Sequence, residues 1–265
     1  MSVQAAEPAK TGVDPVAIEV RGAIARLAFN RPEKRNAVND RTLAALAGFF
    51  ENPPEGVRVA VLSGSGGNFS AGLDLSEHAA RSSVEVLHHS RNWHKAMDAI
   101  QFGGLPVVAM IAGAAMGGGL EIAAACHVRV AEDGAQFRLP EGRRGIFVGG
   151  GATARLGRII GPDRLTEMML TGRTLDAAEA AKIGLVHYRA DAGHGMTMAE
   201  ELAGRIAENA SLVNYLIVQG VSRIADMSHA DGLFTESLAA ALSTTTEDAK
   251  EGLDAFFERR QPRFK

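Results

Sequence analysis

The alternation of apolar and polar positions predicts strands in the first half of the chain. From Val16 to Phe29 the two classes alternate, as in half-buried strands, and Gly22 marks a turn between two of them. Short apolar stretches, several of them rich in β-branched residues, predict further strands at 57–64, 105–113, 128–133 and 135–141.

Helical patterns separate these strands and then dominate the chain. Val86, Trp93 and Met97 recur at helical intervals within 83–102, and Asp40 is placed to cap a helix that follows it. Beyond Ala192 the pattern is helical to the end. The helices predicted between these points lie at 41–52, 120–127, 161–172 and 174–185.

Early alternation of strands and helices followed by helices alone predicts an α/β fold with a helical C-terminal region. We expect a flexible N-terminal tail over 1–14, an α/β core over 15–195 and a helical region over 196–265. Because the first residues contain no apolar segment of the kind found in signal peptides, we expect a cytoplasmic protein.

Composition narrows the classes of partner. The chain has 265 residues, a net charge of −3 and one cysteine, Cys126, so a nucleic-acid surface is disfavoured and no intramolecular disulfide can form. The longest uncharged stretch, 102–120, contains Pro106 and several glycines, so we expect a buried strand and a turn there rather than a membrane span.

Two glycine-rich loops each follow a predicted buried strand. They are "FSAGLD" (69–74) and "GAAMGGGLE" (113–121). A glycine turn at a helix start leaves backbone N–H groups unpaired, and these can hold an anion or a developing oxyanion. Tight packing alone is the alternative explanation for such glycines. Neither loop matches a Walker or dinucleotide-binding motif.

Two glutamates accompany the second loop. Glu121 lies in an apolar helix directly after the glycines, and Glu141 lies in "RLPEG". A carboxyl group in apolar surroundings has a raised pKa, and a pair of them can divide acid and base roles. For Glu141, which has Arg138, Arg143 and Arg144 nearby, a plain salt bridge is the competing interpretation.

Together, "RPEKRNAV", "FSAGLD", "GGGLE" and the following "PE" resemble the enoyl-CoA hydratase/isomerase (crotonase) family in order and spacing. The resemblance implies an α/β spiral of ββα units whose helical C-terminal region trimerises, giving homotrimers or hexamers. It implies acyl-CoA thioester substrates, catalytic Glu121 and Glu141, and an oxyanion hole formed by the N–H groups of Leu73 and Gly118. No cofactor, metal, nucleic acid or membrane is implied.

The resemblance also implies a set of residues that contact coenzyme A or the acyl group. These residues are Lys34, Ala37, Ser70, Ala71, Asp74, Leu75, Gly117, Phe264 and Lys265.

The chain departs from the family pattern around the second glutamate. Arg143 or Arg144 could pair with Glu141 and hold it ionised, and Val148 stands where a proline is common. Leu73 replaces the commoner alanine of the first loop. Gly149 stands where dienoyl-CoA isomerases carry an aspartate, which disfavours that reaction.

Both glutamates favour an enoyl-CoA hydratase. A simple enoyl-CoA isomerase or another lyase or hydrolase of the family remains the alternative, and a non-catalytic acyl-CoA binder is disfavoured. His88, His89 and His94 share one predicted helix, where pocket lining or packing suits them better than metal binding.

Overall fold

The computed structural model describes residues 14–78 and 81–264, without the side chains of 77 and 78. The N-terminal tail, apart from residue 14, and the predicted ligand contact Lys265 therefore lie outside the described residues. The strands are β1 (Val16–Arg21), β2 (Ile24–Phe29), β3 (Val59–Gly64), β4 (Val107–Ile111), β5 (Ala114–Met116), β6 (Val128–Glu132), β7 (Gln136–Arg138), β8 (Leu175–Asp176) and β9 (Tyr188–Ala190).

The helices alternate with these strands and then continue to the C-terminus. They are α1 (Asp40–Glu51), α2 (Leu75–His78), α3 (Ser83–Phe102), α4 (Gly118–Ala125), α5 (Ala152–Ile160), α6 (Pro162–Thr171), α7 (Ala177–Lys182), α8 (Gly195–Ala207), α9 (Ser211–Ala225), α10 (His229–Ser243) and α11 (Glu247–Glu258). Short 3₁₀ turns cover Pro32–Lys34 and Glu141–Arg144.

In the described ranges, six strands form one sheet in the order β1-β2-β3-β4-β6-β9. The β1–β2 pair is the antiparallel hairpin that the alternating pattern predicts, and its turn glycine, Gly22, has φ +58°. The other pairs are parallel, and β3 and β4 are buried along nearly their whole length. Strands β5, β7 and β8 form a second, smaller sheet beside it.

The carboxyl ends of β3 and β4 lead into the two glycine-rich loops. Isolated bridges join Val38 to Leu73 and Ser70 to Ala115, so the first loop lies between the chain before α1 and strand β5. Neighbouring parallel strands bring their following loops to one edge of the sheet, which is where ligands bind in folds of this kind.

One local prediction is wrong. The N-cap of α1 is Asn39, whose side-chain oxygen accepts a hydrogen bond from the Thr42 N–H at 3.0 Å, and Asp40 is already the first helical residue. Both residues are good caps, and only the backbone geometry distinguishes them. At the first helical position the Asp40 charge still favours the helix dipole.

Candidate active site

The first loop presents a backbone N–H that its neighbours do not use. Gly72 accepts a hydrogen bond from the Val38 N–H, and the Asp74 N–H donates to the Val38 carbonyl, both at 2.8 Å. This parallel pairing turns the Leu73 N–H, which lies between them, away from Val38. Among the described residues, the Leu73 N–H has no hydrogen-bond acceptor.

The second loop places another such N–H beside the first. Gly118 is the first residue of α4, so its N–H has no acceptor within the helix. A Cβ added to Gly118 would lie 3.3 Å from the Leu73 nitrogen, which shows how closely the two loops approach. The two N–H groups predicted from the family resemblance are therefore neighbours in space.

The three successive glycines are each required by a close neighbour. Gly117 has φ +50° and ψ −121°, a conformation that residues with a side chain rarely adopt, and a Cβ there would collide with Glu141 Oε1. A Cβ on Gly118 would lie 2.5 Å from Trp93 Cη2, and one on Gly119 would lie 2.5 Å from the Ser70 carbonyl oxygen. Tight packing, the alternative explanation for these glycines, is thus present in the structure together with the exposed N–H groups.

Glu121 is held in place by the backbone of the segment before α5. Its Oε1 accepts hydrogen bonds from the N–H groups of Gly150 and Ala152, both at 2.9 Å, and the residue is only 4% exposed. Burial raises the pKa of Glu121 to about 7 and the charge of Glu141 adds to this, while the two N–H donors oppose it. The group can therefore exchange a proton near neutral pH.

Glu141 opens the 3₁₀ turn Glu141–Arg144 and is also buried. Its Oε2 has no hydrogen-bond partner among the described residues. Burial raises the pKa of Glu141, and its own backbone N–H and the charge of Arg144 only partly oppose this.

The alternative interpretation of Glu141, a salt bridge with a nearby arginine, is not what the structure shows. Arg143 instead donates a hydrogen bond to the Thr171 carbonyl at 3.0 Å. In the described part of the chain, neither Arg143 nor Arg144 forms a salt bridge with Glu141. Arg143 is thus bound elsewhere, and Arg144, which lines the same cavity as Glu141, only partly offsets the burial that raises the pKa of that carboxyl group.

Both glutamates and both loop N–H groups border one cavity of about 550 Å³. Trp93, Val86 and Leu87 of α3 form part of its apolar wall. The remaining lining residues include Ala71, Leu75, Gly117, Arg144, Ile146, Phe147, Val148 and Gly149. An apolar cavity with a few convergent polar groups is typical of a ligand site.

Comparison with known proteins identifies the family of this chain. The family model for enoyl-CoA hydratase/isomerase matches residues 19–265. The chain belongs to this family. It is 34% identical to the short-chain-enoyl-CoA hydratase of Clostridium acetobutylicum over 250 residues, which are 93% of this chain and 95% of that protein.

Solved structures of the hydratase/isomerase family share the fold. A Rhodopseudomonas palustris crystal structure is 44% identical and superposes with a TM-score of 0.90, covering 95% of this chain and 98% of its own. The enoyl-CoA hydratase of Bacillus anthracis is 32% identical, with a TM-score of 0.90 over 95% of this chain and 99% of its own. The predicted family, crotonase fold and enzyme class are therefore confirmed.

The predicted coenzyme A contacts divide into two groups in this family member. Ala71, Leu75 and Gly117 line the cavity. Lys34 lies 3.5 Å from Asp74 (Nζ to Oδ2), and Ala37 accepts a hydrogen bond from Arg31 through its carbonyl. This second group adjoins the cavity without lining it.

Two residues predicted to contact coenzyme A, Ser70 and Asp74, form hydrogen bonds within the protein. The Ser70 hydroxyl is fully buried; it donates to the Asn36 carbonyl at 2.7 Å and accepts from the Gly72 N–H at 3.1 Å. Asp74 is buried and bonded to Ser76 and Arg31, and these hydrogen bonds lower its pKa to about 2. Both side chains therefore fix the shape of the first loop.

Phe264 lies against α11 of its own chain. A Cβ added to Gly252 would lie 3.5 Å from Phe264 Cε1. Phe264 does not line the cavity described above. Its predicted contact with substrate would require the cavity of another subunit.

Sequence reasoning missed the support of the first glutamate. Arg155 of α5 binds Asp98 and Gln101 of α3, each at 2.6 Å, and its Nη1 lies 3.4 Å from the Gly150 carbonyl. The arginine thus ties the Gly150–Ala152 segment, which holds Glu121, to helix α3. Arg155 is more than 50 residues from both partners in the sequence, so no local pattern predicts this contact.

Neither a metal site nor a membrane span is evident in the described ranges. Within them, no group of three or more His, Cys, Asp or Glu side chains is arranged to hold a metal ion. No helix there is both long and apolar enough to cross a bilayer.

The buried carboxyl of Glu121 predicts an unusual pH dependence of stability. Its pKa is about 7 in the folded state and near 4.5 when unfolded, so between these values the folded state binds the extra proton. The contribution of Glu121 to the free energy of unfolding should therefore be complete below pH 4.5. It should fall by about 3 kcal/mol as the pH rises through 7. Glu121→Gln keeps an oxygen for the Gly150 and Ala152 N–H groups and removes this titration.

We expect Glu121→Gln to be more stable than the parent at pH 8, by about 3 kcal/mol, and of similar stability near pH 4.5. Urea unfolding at both pH values and a fixed protein concentration measures the difference. A stability difference that is independent of pH would contradict the raised pKa of Glu121.

Proposed function

We propose that this enzyme is an enoyl-CoA hydratase, which adds water across the 2,3 double bond of a trans-2-enoyl-CoA. The observation that carries the proposal is the convergence on one cavity of two buried carboxyl groups with raised pKa values and two unpaired backbone N–H groups. Hydration needs a proton acceptor, a proton donor and a site for the enolate oxygen, and this set supplies each of them.

The thioester oxygen would accept hydrogen bonds from the Leu73 and Gly118 N–H groups. As water adds to the β-carbon, negative charge moves to this oxygen and an enolate forms. The two N–H groups are already oriented, so they stabilise this charge without reorganisation. Because Gly118 starts α4, the helix dipole adds to the stabilisation.

The two carboxyl groups have different surroundings and so suit different roles. Glu121 receives two N–H hydrogen bonds, which favour its ionised form, and we assign it as the base that takes a proton from water. Glu141 has a raised pKa and an oxygen without a protein partner, and we assign it as the acid that protonates the α-carbon. A water molecule would lie between them.

Coenzyme A would enter over the first loop. We propose that Ala71, Leu75 and Gly117 contact the thioester arm, and that Lys34 and Ala37 flank its path outside the cavity. Ser70 and Asp74 contribute by holding the loop in shape, as their hydrogen bonds support. Phe264 and Lys265 would reach substrate from a neighbouring subunit.

Crotonyl-CoA distinguishes hydration from the alternatives. We expect the purified protein to remove the ultraviolet absorbance of the conjugated thioester and to form 3-hydroxybutyryl-CoA, identified by mass spectrometry. An isomerase would leave this substrate unhydrated and would instead conjugate a 3-enoyl-CoA. A hydrolase would release free thiol. Either of these results, without hydration of longer 2-enoyl-CoA substrates, would refute the proposal.

We also propose that the chain assembles as a homotrimer, or as a hexamer of two trimers. Large apolar side chains are exposed along the last helices, among them Phe234 of α10 and Phe256 and Phe257 of α11, the latter two 76% exposed. Several large apolar side chains exposed on the same region of the chain indicate an association surface.

Sedimentation equilibrium should give three or six times the chain mass of 27.9 kDa. We expect Phe256→Ser combined with Phe257→Ser to weaken this assembly, because it removes two exposed aromatic side chains from one helix. Leu170→Ser, an equally exposed apolar residue on α6, is the control and should leave the mass unchanged. Unchanged association of the double variant would place the interface elsewhere.

A further inference from the structure

A second cleft adjoins the active-site cavity. Its volume is about 440 Å³, and Ala71 and Arg144 line both spaces. Its other lining residues are Arg35, Asn68, Gly113, Ala114, Met116, Gly134, Gln136, Arg138 and Pro140. The lining thus holds three guanidinium groups and no carboxylate.

Arg35, Arg138 and Arg144 have no side-chain hydrogen bond or ion pair with any described residue. Two other arginines near the active-site cavity are paired: Arg31 binds Asp74 and Arg155 binds Asp98. The Nε of Arg138 is in addition buried without a partner. A buried donor with no acceptor is costly, and three unpaired like charges around one cleft repel one another.

The fold holds these arginines where they are. Arg35 and Asn36 both have positive φ, +48° and +57°, which is unfavourable for residues with a side chain. The buried Asn36 side chain stabilises this turn by donating to the carbonyls of Ser65 and Asn68 and accepting from the Arg31 N–H. Arg138 lies on strand β7, and Arg144 ends the 3₁₀ turn. The cluster therefore comes from three well-anchored segments.

We propose that this cleft binds a phosphate-type oxyanion, such as a phosphate or diphosphate group. A planar guanidinium group donates two parallel hydrogen bonds to such oxygens, and three of them can neutralise a multiply charged anion. The anion would give the Arg138 Nε an acceptor and remove the repulsion among the arginines. Because Arg144 borders both spaces, the bound anion would also lie next to the catalytic cavity.

Inorganic pyrophosphate is the probe, and calorimetric titration measures its binding without any catalysis. We expect Arg138→Gln to raise the dissociation constant by about tenfold or more, since a charge-assisted hydrogen bond is lost. Arg205→Gln removes the same charge from helix α8, away from the residues that line the cleft, and should bind pyrophosphate as the parent does. Melting temperatures of both variants check that each is folded.

Arg35→Asn serves as a second variant, because asparagine tolerates the positive φ and removes the charge. It should also weaken pyrophosphate binding by about tenfold. The proposal would be overturned if pyrophosphate did not bind to the parent protein. It would also be overturned if Arg138→Gln and Arg35→Asn both bound pyrophosphate as tightly as the parent does. Because the readout is binding, this result is independent of whether the protein hydrates enoyl-CoA.

The diphosphate of a coenzyme A thioester and a free phosphorylated metabolite share this chemistry. If the anion is the thioester's own, saturating acetyl-CoA will abolish pyrophosphate binding, and Arg138→Gln will raise KM for crotonyl-CoA but not for crotonyl-pantetheine. If the anion is a separate metabolite, pyrophosphate will still bind in the presence of acetyl-CoA. Both outcomes support an oxyanion site and differ only in its source.

Discussion

Glu141→Gln should lower kcat for crotonyl-CoA hydration by about 10²–10⁴-fold, the contribution expected of one general acid–base group. Glutamine has nearly the same shape, so it fills the same buried position, but it cannot deliver a proton to the α-carbon. Steady-state rates at neutral pH measure the loss, and KM should change far less than kcat because binding contacts remain.

The corresponding substitution at the other carboxyl group, Glu121→Gln, should lower kcat by a similar factor. Since the two groups act on one water molecule, the double variant should be little worse than either single variant. Glu55→Gln, an exposed residue far from the cavity, is the matched control and should retain the parent rate. If either buried glutamate could be replaced without loss, the two-carboxylate mechanism would be wrong.

Gly118→Pro should lower kcat by about 10²–10³-fold through loss of one oxyanion donor. Proline is well tolerated at the first helical position, where the N–H has no acceptor within the helix in any case. The substitution therefore removes the proposed oxyanion donor at a point where α4 does not need the N–H.

The added Cβ complicates this test, because it would meet Trp93 Cη2 at 2.5 Å. Gly118→Ala carries the same Cβ and keeps the N–H, so it measures the cost of displacing Trp93 alone. The ratio of the proline to the alanine rate isolates the hydrogen bond. Equal rates for the two variants would mean that the Gly118 N–H takes no part in the reaction.

The sequence predicted the parts of the molecule that local patterns determine. The alternation of apolar and polar residues predicted the hairpin around Gly22, and unbroken apolar runs predicted β3 and β4. Apolar residues at helical intervals predicted α3. The motifs also predicted that Leu73, Gly118, Glu121 and Glu141 lie together, and all four line one cavity. Helix α5 was not predicted, because Gly149, Gly150 and Gly151 precede it and Gly157 interrupts its apolar pattern.

What could not be predicted depends on contacts between distant segments. Whether Arg143 turns toward Glu141 or toward Thr171 is decided by the 3₁₀ turn and by α6, and no spacing in "PEGRRG" distinguishes the two. The clamp of Arg155 on Asp98 and Gln101 likewise appears only when α3 and α5 pack together. The Arg155 contacts position the segment that holds Glu121, whereas burial is the main cause of the raised pKa of both glutamates.

Helix α3 divides into two parts along its length. Its first three turns supply Val86, Leu87 and Trp93 to the cavity wall. Its last turns supply Asp98 and Gln101 to Arg155, which supports the segment that holds Glu121. The shape of the acyl pocket and the position of the proposed base Glu121 therefore depend on different turns of the same helix. Substitutions at Val86 and Leu87 can alter which acyl groups fit while the base stays aligned, so new specificities can evolve, or be selected in the laboratory, without rebuilding the catalytic centre.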